Sequence, residues 1–380
     1  MEYLKYLRRF MAALFVYSVV PSFLFNTAQA AHPETDQQVR HNEYVYSANQ
    51  AEHNLSAYRV DKVTGNLTPL KGAPYKTGSF PVSVQISGDG HTIYVVNQGS
   101  ASISVFNLDE DGQRLVETRG SPVAAGKYPD AIDLSKDDRF AYVASEDDNE
   151  LRVYAIDSKT GLLRDTHLRA STEHHPISVI VSPNDEFVYA SNFYSHSVSA
   201  FKRDKKTGAL EAVGTATTED RPIYVSVAPD SRHALVANYG TTTVSVFNID
   251  EKNGSLTPVS GSPFRAGAQP YSVTVDPAMN YVYVANWGSH DVSAFKFDSD
   301  SGVLSELKSS PFSTDWYPYA VVVDASDRYV YVANNGAGNI SAYRIKERNG
   351  GLQSVGDKPI PSGAGPYALA TTFPTGNHYR

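Results

Sequence analysis

Tyr283-Val-Ala-Asn-Trp-Gly-Ser-His-Asp-Val-Ser-Ala-Phe295 is one of seven blocks of thirteen residues that align without a gap. The other six blocks begin at Tyr46, Tyr94, Tyr142, Tyr189, Leu235 and Tyr331. Self-similarity at a period of about 47 residues is typical of a propeller or a solenoid. The blocks consist of short β-branched and aromatic runs separated by Gly, Asn and Asp, which indicates strands and excludes a helical solenoid.

The unit around Tyr283 predicts four antiparallel strands, which make one propeller blade. The predicted strands are Pro270–Val275, Tyr281–Asn286, Val292–Phe297 and Val303–Leu307. A glycine precedes the fourth strand in every unit, because a tight hairpin needs a residue that tolerates positive φ. These glycines are Gly65, Gly112, Gly161, Gly208, Gly254, Gly302 and Gly350.

The ends of the chain predict a closed ring. The first strand of each unit begins at a proline: Pro81, Pro129, Pro176, Pro222, Pro270, Pro318 or Pro366. The first unit starts directly at its second strand near Tyr44, whereas Pro366–Phe373 forms a lone first strand at the other end. Pairing the two ends would remove an exposed sheet edge. The sequence therefore predicts an all-β, single seven-bladed β-propeller over residues 31–380, with four antiparallel strands per blade and the C-terminal strand in the N-terminal blade.

The first thirty residues have the pattern of a cleaved signal peptide. A segment with three Lys or Arg residues precedes the apolar stretch Phe10–Phe25, and Ala28–Ala30 supplies the small residues at a cleavage site. A membrane-spanning helix is the alternative, but it needs about 20 apolar residues, and this stretch is shorter and contains Pro21. We expect a periplasmic or secreted protein that begins at Ala31 and has no integral membrane segment.

Composition excludes several kinds of site and partner. The chain has no cysteine, which excludes disulfides, thiolate metal sites and cysteine nucleophiles. Its formal net charge of −8 argues against a nucleic-acid partner. Gly-x-Ser-x-Gly, P-loop and His-Glu-x-x-His motifs do not occur. We therefore expect no cofactor and no metal, and a small molecule, a peptide or a glycan as the ligand.

The segment LVANYGTTTVSVFNIDEKNGSL, Leu235–Leu256, resembles the YVTN-type repeat. Over Tyr44–Phe373 the chain is similar to the lactonase-type seven-bladed β-propellers, which include 6-phosphogluconolactonases. The resemblance implies a lactone hydrolase with a Gly-Pro-Arg-His and a His-x-His at the start of inner strands. No Arg-His pair is present, His174-His175-Pro176-Ile177 is the nearest match to the second motif, and Glu146 matches an expected acid after a second strand.

Two functions follow as expectations. The first is an exported lactonase-like protein that binds or hydrolyses a small anionic or lactone ligand at the mouth of the central channel, with the family's catalytic signature largely missing. The departure from that signature predicts no hydrolysis of 6-phosphogluconolactone above the spontaneous rate. The alternative is a non-catalytic extracytoplasmic propeller that serves as a binding module or scaffold.

The residues before the seven prolines should surround the channel mouth. They are Phe80, Tyr128, His175, Arg221, Gln269, Tyr317 and Gly365. Asp130, His175 and Arg221 come from consecutive inner strands, so we expect them to converge. His175 would be the base, Arg221 would bind an anion, and these cations would favour the charged form of Asp130. The alternative interpretation is a set of solvated loop residues.

Aromatic and amide side chains complete the predicted ligand-binding set. Tyr128 and Tyr317 would flank the three charged residues, Gln269 lies at an equivalent position, and Trp287 and Trp316 could stack on a sugar or a peptide. The acidic loop Glu146–Glu150 has ligands suited to Ca²⁺ or is simply solvated.

Two further sets of equivalent residues indicate structure rather than chemistry. Asparagine ends the second strand in six blades, where it is expected to bind nearby backbone groups. The six are Asn49, Asn97, Asn192, Asn238, Asn286 and Asn334. His53, His196 and His290 also occupy equivalent positions, which lie too far apart around a ring to share a metal.

Overall fold

A computed structural model of the chain describes residues 42–372. The predicted signal peptide lies outside the described residues. Within them, thirty-three strands form seven antiparallel sheets, which confirms the all-β seven-bladed propeller. The described part of the chain contains no helix long and apolar enough to cross a membrane.

The strands follow one another blade by blade. Blade 1 contains β1 (Tyr44–Asn49), β2 (Asn54–Val60), β3 (Leu67–Pro69) and β4 (Tyr75–Lys76). Blade 2 contains β5 (Pro81–Ile86), β6 (Thr92–Asn97), β7 (Ser102–Leu108), β8 (Leu115–Glu117) and β9 (Val123–Ala124). Blade 3 contains β10 (Pro129–Leu134), β11 (Phe140–Ser145), β12 (Glu150–Ile156) and β13 (Leu163–Ser171). Blade 4 contains β14 (Pro176–Val181), β15 (Phe187–Asn192), β16 (Ser197–Arg203) and β17 (Leu210–Thr217).

The remaining blades complete the ring. Blade 5 contains β18 (Pro222–Val227), β19 (His233–Asn238), β20 (Thr243–Ile249), β21 (Leu256–Pro258) and β22 (Phe264–Arg265). Blade 6 contains β23 (Pro270–Val275), β24 (Tyr281–Asn286), β25 (Asp291–Phe297), β26 (Leu304–Glu306) and β27 (Phe312–Ser313). Blade 7 contains β28 (Pro318–Val323), β29 (Tyr329–Asn334), β30 (Asn339–Ile345), β31 (Leu352–Ser354) and β32 (Ile360–Pro361). The last strand is β33 (Pro366–Thr371).

The outermost strand differs from the prediction in five blades. There it is split into two short segments that both pair with the third strand, as β26 and β27 pair with β25. A proline stands immediately before the second segment in all five: Pro74, Pro122, Pro263, Pro311 and Pro359. Proline has no N–H to continue a strand ladder. Blades 3 and 4 lack this proline, and their outer strands β13 and β17 run without a break for 9 and 8 residues.

The predicted ring closure is confirmed. Strand β33 pairs antiparallel with β1, with Thr371 opposite Val45 and Leu369 opposite Ser47. The Tyr44 N–H donates to Thr372 Oγ1 over 2.9 Å. Phe373, the predicted last residue of this strand, lies outside the described residues. The C-terminal strand is thus the innermost strand of blade 1.

The hydrophobic core lies between neighbouring blades, and the first tyrosine of the repeated block links them. The buried Tyr331 hydroxyl of blade 7 donates to the Gly65 carbonyl in the hairpin of blade 1 over 3.0 Å. Gly65 has φ +78°, and a Cβ there would lie 2.4 Å from the Tyr329 ring. The equivalent Tyr94, Tyr142, Tyr189 and Tyr283 make the same bond. In blade 1 the bond to Gly112 comes from Tyr44, two residues before the block's own Tyr46, and blade 5 has Leu235 at this position. This contact gives the recurring tyrosine a structural role, and the positive φ of the hairpin explains the glycine.

We expect Tyr331→Phe to lower the free energy of unfolding by about 1–3 kcal/mol, because it leaves the buried Gly65 carbonyl without its donor. Tyr46→Phe is the matched control, since the Tyr46 hydroxyl is buried and has no hydrogen-bond partner within residues 42–372. Loss of the Tyr46 hydroxyl should leave the free energy of unfolding unchanged. Urea unfolding followed by circular dichroism would measure both variants. Equal losses would show that the tyrosine–glycine bond does not stabilise the ring.

Candidate functional site

Two sets of seven residues adjoin at the end of the propeller where the inner strands begin. The residue after each second strand donates its backbone N–H to the carbonyl of the residue before an inner-strand proline. Glu146 donates to Tyr128 over 3.1 Å and Phe193 donates to His175 over 2.9 Å. The acceptors, here called the rim ring, are Phe80, Tyr128, His175, Arg221, Gln269, Tyr317 and Gly365. The donors, here called the turn ring, are Gln50, Gln98, Glu146, Phe193, Tyr239, Trp287 and Asn335.

A third set, the inner ring, lies at the top of the central channel. The residue after each proline sits at a shift in strand register, as between Pro129 and Ala131, and such a bulge re-aims a side chain. The inner ring is Val82, Asp130, Ile177, Ile223, Tyr271, Tyr319 and Tyr367. All seven line an axial cavity of about 630 Å³. The inner ring therefore lies at the end of this cavity that is nearest the rim and turn rings, and no residue of those two rings lines the cavity.

The rim residues have positive φ, between 52° and 70°, which is uncommon for residues other than glycine. Side chains from the preceding blade hold this conformation. His53, His196 and His290 accept the rim amides of Phe80, Arg221 and Tyr317 through Nδ1. Asn149 Oδ1 accepts the His175 amide over 2.9 Å. The three equivalent histidines thus have a structural role.

A histidine and two acids meet between blades 2, 3 and 4. The His175 Nε2 contacts Glu146 Oε1, and Glu146 is 9% exposed. Asp130 is 5% exposed and accepts a hydrogen bond from Gln98 Nε2 over 2.8 Å. Glu146 lies close enough to Asp130 to affect its titration. The structure therefore joins Asp130 to His175 through Glu146.

The expected charged form of Asp130 is wrong. Burial raises the pKa of Asp130 well above its ordinary value, and the hydrogen bond and negative charge of Glu146 raise it further. The prediction assumed that His175 and Arg221 would be the nearest charges, whereas Glu146 lies between Asp130 and His175. Two carboxyls at one buried place cannot both ionise without a large cost, and this raises the pKa of Asp130 in the same direction as its burial.

Arg221 stands apart from this cluster. Its side chain is about half exposed, and its Nε lies 3.9 Å from the exposed Asp220 carboxylate. Within residues 42–372 the Arg221 side chain forms no hydrogen bond or ion pair with Asp130 or His175. Of the three residues predicted to converge, the described contacts connect two.

An arc of aromatic rings continues around the mouth from His175. The His175 and Tyr194 rings lie 4.4 Å apart, and Phe193 lies between Tyr194 and Tyr239. The arc extends through contacts between Tyr239 and Trp287, Trp287 and Tyr317, and His290 and Trp316. The Trp287 and Tyr317 rings stack at 4.6 Å. The aromatic arc thus runs from blade 4 to blade 7, and the two acids of the three rings, Asp130 and Glu146, both come from blade 3.

The predicted ligand-binding residues occupy different parts of this surface. Trp287 and Tyr317 belong to the arc, and Trp316 lies at its outer end with 64% of its surface exposed. Gln269 is a partly buried rim residue whose carbonyl accepts the Trp287 amide. Tyr128 is exposed on the rim of blade 3, beside Glu146.

Three tyrosines close the inner ring opposite Asp130. Tyr271, Tyr319 and Tyr367 come from blades 6, 7 and 1 and contact one another. The hydroxyls of Tyr271 and Tyr367 lie 2.5 Å apart. Burial raises the pKa of both phenols, and the nearby Asp130 contributes in the same direction. These phenols are neutral hydrogen-bonding groups at the base of the mouth.

Carboxylates of the acidic loop Glu146–Glu150 in blade 3 contact basic side chains of the protein. Besides the Glu146–His175 contact, Asp148 binds Arg152 at 2.7 Å, and Glu150 lies 2.9 Å from the same guanidinium. In the part of the chain that the structure describes, no group of three or more His, Asp or Glu side chains is placed to hold a metal ion.

The asparagine ring is structural, although its partners are side chains rather than the predicted backbone groups. Asn192 Nδ2 donates to Ser197 Oγ and Ser199 Oγ, and the other five make similar bonds to the third strand. Blade 3 has Ser145 and Arg152 at the corresponding positions. This blade departs from the repeat where it carries Glu146.

Sequence reasoning did not identify the contact between Glu146 and His175 or the role of Gln98. A signal for Glu146 was present, because it is the one acid in the turn ring and follows the one second strand that ends in serine. Gln98 gave no such signal, since Gln50 occupies the same position in blade 1.

Comparison with known proteins agrees with this architecture. The family described as lactonase, 7-bladed beta-propeller, matches residues 73–175, 170–271 and 256–366. No functionally curated protein matches the chain.

Solved structures share the fold. A candidate 6-phosphogluconolactonase of Bacteroides uniformis has a TM-score of 0.77 at 16% identity, covering 87% of this chain and 99% of that one. The periplasmic gluconolactonase of Pseudomonas aeruginosa has a TM-score of 0.73 at 20% identity, covering 87% and 98%. The family match spans more than two thirds of the sequence, and the chain belongs to the lactonase family of seven-bladed β-propellers.

Proposed function

We propose that this protein is an extracytoplasmic hydrolase of sugar lactones that acts at the channel mouth. The observation that carries the proposal is the contact between His175 and Glu146 beside an aromatic arc. A base oriented by a carboxylate is the arrangement that activates water for attack on an acyl carbon. Aromatic rings are suited to stacking on the apolar face of a sugar.

The chemistry follows from the His175 tautomer. A His175 Nε2–H that donates to Glu146 leaves Nδ1 as the free base. Nδ1 would take a proton from water as the oxygen attacks the lactone carbonyl carbon. The tetrahedral intermediate would then collapse with cleavage of the ring C–O bond, and the same proton would pass to the departing alkoxide. The product is the open-chain hydroxy acid.

The sequence and one relative support the extracytoplasmic location. The basic segment and the apolar stretch Phe10–Phe25 have the pattern of an export signal. The Pseudomonas aeruginosa structure is that of a periplasmic gluconolactonase.

A second candidate is a binding propeller without turnover. It is favoured by the inner ring, which contains no Lys or Arg to stabilise the oxyanion of a tetrahedral intermediate. The ionisable inner-ring residue nearest His175 is the carboxyl Asp130, which lies beside Glu146.

We expect the protein beginning at Ala31 to hydrolyse D-glucono-1,5-lactone with a turnover of about 1–10³ per second, the ordinary enzymatic range. A pH-stat or a pH indicator would measure acid release against the spontaneous rate. Fractionation of producing cells should place this activity outside the cytoplasm. Binding of the lactone without turnover would support the second candidate, a binding propeller. Activity confined to the cytoplasm would contradict export.

A further inference from the structure

We propose that the axial cavity is a second ligand site, which opens on the face opposite the mouth and binds a small organic ammonium ion. The inference goes beyond the proposed function, because neither His175 nor any ring of the aromatic arc lines this cavity. The volume of about 630 Å³ is within the usual range for a small-molecule site.

The inner ring separates the cavity from the mouth. Tyr271, Tyr319 and Tyr367 come from three consecutive blades and contact one another. The hydroxyls of Tyr271 and Tyr367 share a hydrogen bond of 2.5 Å, and Val82 and Ile223 of the same ring are buried. The residues beyond this ring, on the rim and in the turn ring, do not line the cavity. The cavity is therefore closed at this end.

The other end of the cavity reaches the surface. Its lining there comes from the turns between the first and second strands, namely Gly88, Lys136, Pro183, Pro229 and Pro277. Gly88 and Lys136 are exposed, and the three prolines are partly exposed. These turns follow the ends of the inner strands, whereas the mouth lies where the inner strands begin. A ligand would therefore enter from the face opposite the mouth.

The walls of this pocket are acidic. Apart from tyrosines, its ionisable side chains are Asp130, Asp133, Asp138 and Lys136, and the one base lies at the opening. Asp133 is 4% exposed. Its Oδ2 accepts the Val181 N–H over 2.7 Å and its Oδ1 accepts a hydrogen bond from Gln85 Nε2, and an acceptor-only role is that of an ionised carboxylate.

Asp133 has no cationic partner in the protein. Both of its donors are neutral, and no Lys, Arg or His forms an ion pair with it within residues 42–372. A buried carboxylate is costly unless a positive charge approaches it. A cleft whose walls carry one sign of charge also concentrates ligands of the opposite sign. An ammonium ion in the cavity would supply the missing partner.

Tyrosine rings provide a second attraction for a cation. Tyr224 lines the cavity with 40% of its surface exposed to it, and its hydroxyl forms no hydrogen bond within residues 42–372. Burial raises the pKa of Tyr224 to about 12, and the negative charge of Asp133 contributes in the same direction. The phenol is therefore neutral and lies within electrostatic range of Asp133. The face of such a ring attracts an ammonium ion.

An organic cation fits this pocket better than a metal ion. In the part of the chain that the structure describes, no three His, Asp or Glu side chains are placed to hold a metal. Aliphatic side chains, among them Ile180, Val322 and Ala368, line much of the remaining wall. The alkyl groups of an organic ammonium ion can pack against these side chains while its charge lies near Asp133.

The test compares choline with 3,3-dimethyl-1-butanol, its neutral isostere with carbon in place of nitrogen. In calorimetric titration, the protein beginning at Ala31 should bind choline at least about tenfold more tightly, because the charge and the cation–π contact distinguish the two probes. Asp133→Asn should reduce this preference severalfold. Tyr224→Leu should weaken choline binding, whereas Tyr224→Phe should retain it. Asp89→Asn removes an exposed acid near the opening that does not line the cavity, and it should leave the preference unchanged.

A variant at the mouth determines where choline binds. Trp287→Ala removes the largest ring of the aromatic arc and should leave the affinity for choline unchanged. Loss of choline binding in Trp287→Ala, with binding retained in Asp133→Asn, would place the cation at the mouth and overturn the inference. No binding of choline, or equal affinity for the neutral alcohol, would overturn it as well. If Asp133→Asn does not fold, the Tyr224 pair decides, because equal affinities of Tyr224→Leu and Tyr224→Phe would contradict a site in the cavity.

Discussion

Deletion of Pro366–Arg380 should destabilise the whole ring rather than the tail alone. Strand β33 is the innermost strand of blade 1, and Leu369 and Ala370 contribute to the buried clusters on its two sides. Its loss exposes apolar surface and leaves the inner edge of β1 unpaired. We expect a loss on the order of 5 kcal/mol and a fall of roughly 10 °C in the unfolding midpoint. Thermal unfolding followed by circular dichroism would measure it.

A shorter deletion provides the control. Removal of residues 373–380 retains β33 and its bonds to Tyr44, and the midpoint should then stay within about 1–2 °C of the parent. A synthetic peptide of residues 365–372, added to the longer deletion, should restore part of the lost stability by mass action. An unchanged midpoint in the longer deletion would mean that β33 does not close the ring.

Most of the fold could be predicted because it repeats. Each unit carries the same alternation, so the bounds of β23 and β24 match the predicted Pro270–Val275 and Tyr281–Asn286. Ring closure followed from the lone strand that begins at Pro366. The split of the outer strand was missed because Pro263 and its equivalents lie in a variable part of the unit. Whether such a proline interrupts the outer strand depends on which residues pair with the third strand at that point.

The candidate site was only partly predictable because it consists of departures from the repeat. The position of Asp130 after its proline placed it correctly at the channel. Its protonation could not be inferred, because that depends on burial and on Glu146 from the turn ring. The sequence also placed Arg221 on the rim. It did not determine the direction of the long Arg221 side chain.

These departures concentrate in one sector of the ring. Asp130, Ser145, Glu146 and Arg152 all belong to blade 3, and His175 leads into blade 4. In the other blades, second-strand asparagines donate to serine hydroxyls of the third strand. A propeller that needed only stability could use that arrangement seven times. The replacement in blade 3 therefore favours a function for its acids, since loop charges at a rigid mouth are where binding and catalysis occur.

Glu146→Gln should reduce the turnover of D-glucono-1,5-lactone by about 10²- to 10⁴-fold, the usual contribution of general acid–base catalysis. Glu146 acts through His175 as a positioning residue, because it accepts the Nε2–H and stabilises the imidazolium formed when water gives up its proton. Glutamine keeps the size and an acceptor oxygen but loses the charge. The loss should therefore appear in kcat, with KM changed less than about threefold. Steady-state kinetics of the parent protein and of Glu146→Gln over a range of lactone concentrations would measure kcat and KM.

Two controls make this result specific to Glu146. Asp147→Asn removes the same charge from the exposed neighbouring residue and should retain nearly full turnover. Glu146→Asp keeps the carboxylate and should recover part of the activity lost in Glu146→Gln, which a purely structural role for the side chain would not explain. The unfolding midpoint of each variant should stay near that of the parent. Wild-type turnover in a folded Glu146→Gln protein would remove the His175–Glu146 pair from the reaction, and the catalytic base would then have to lie elsewhere on the mouth.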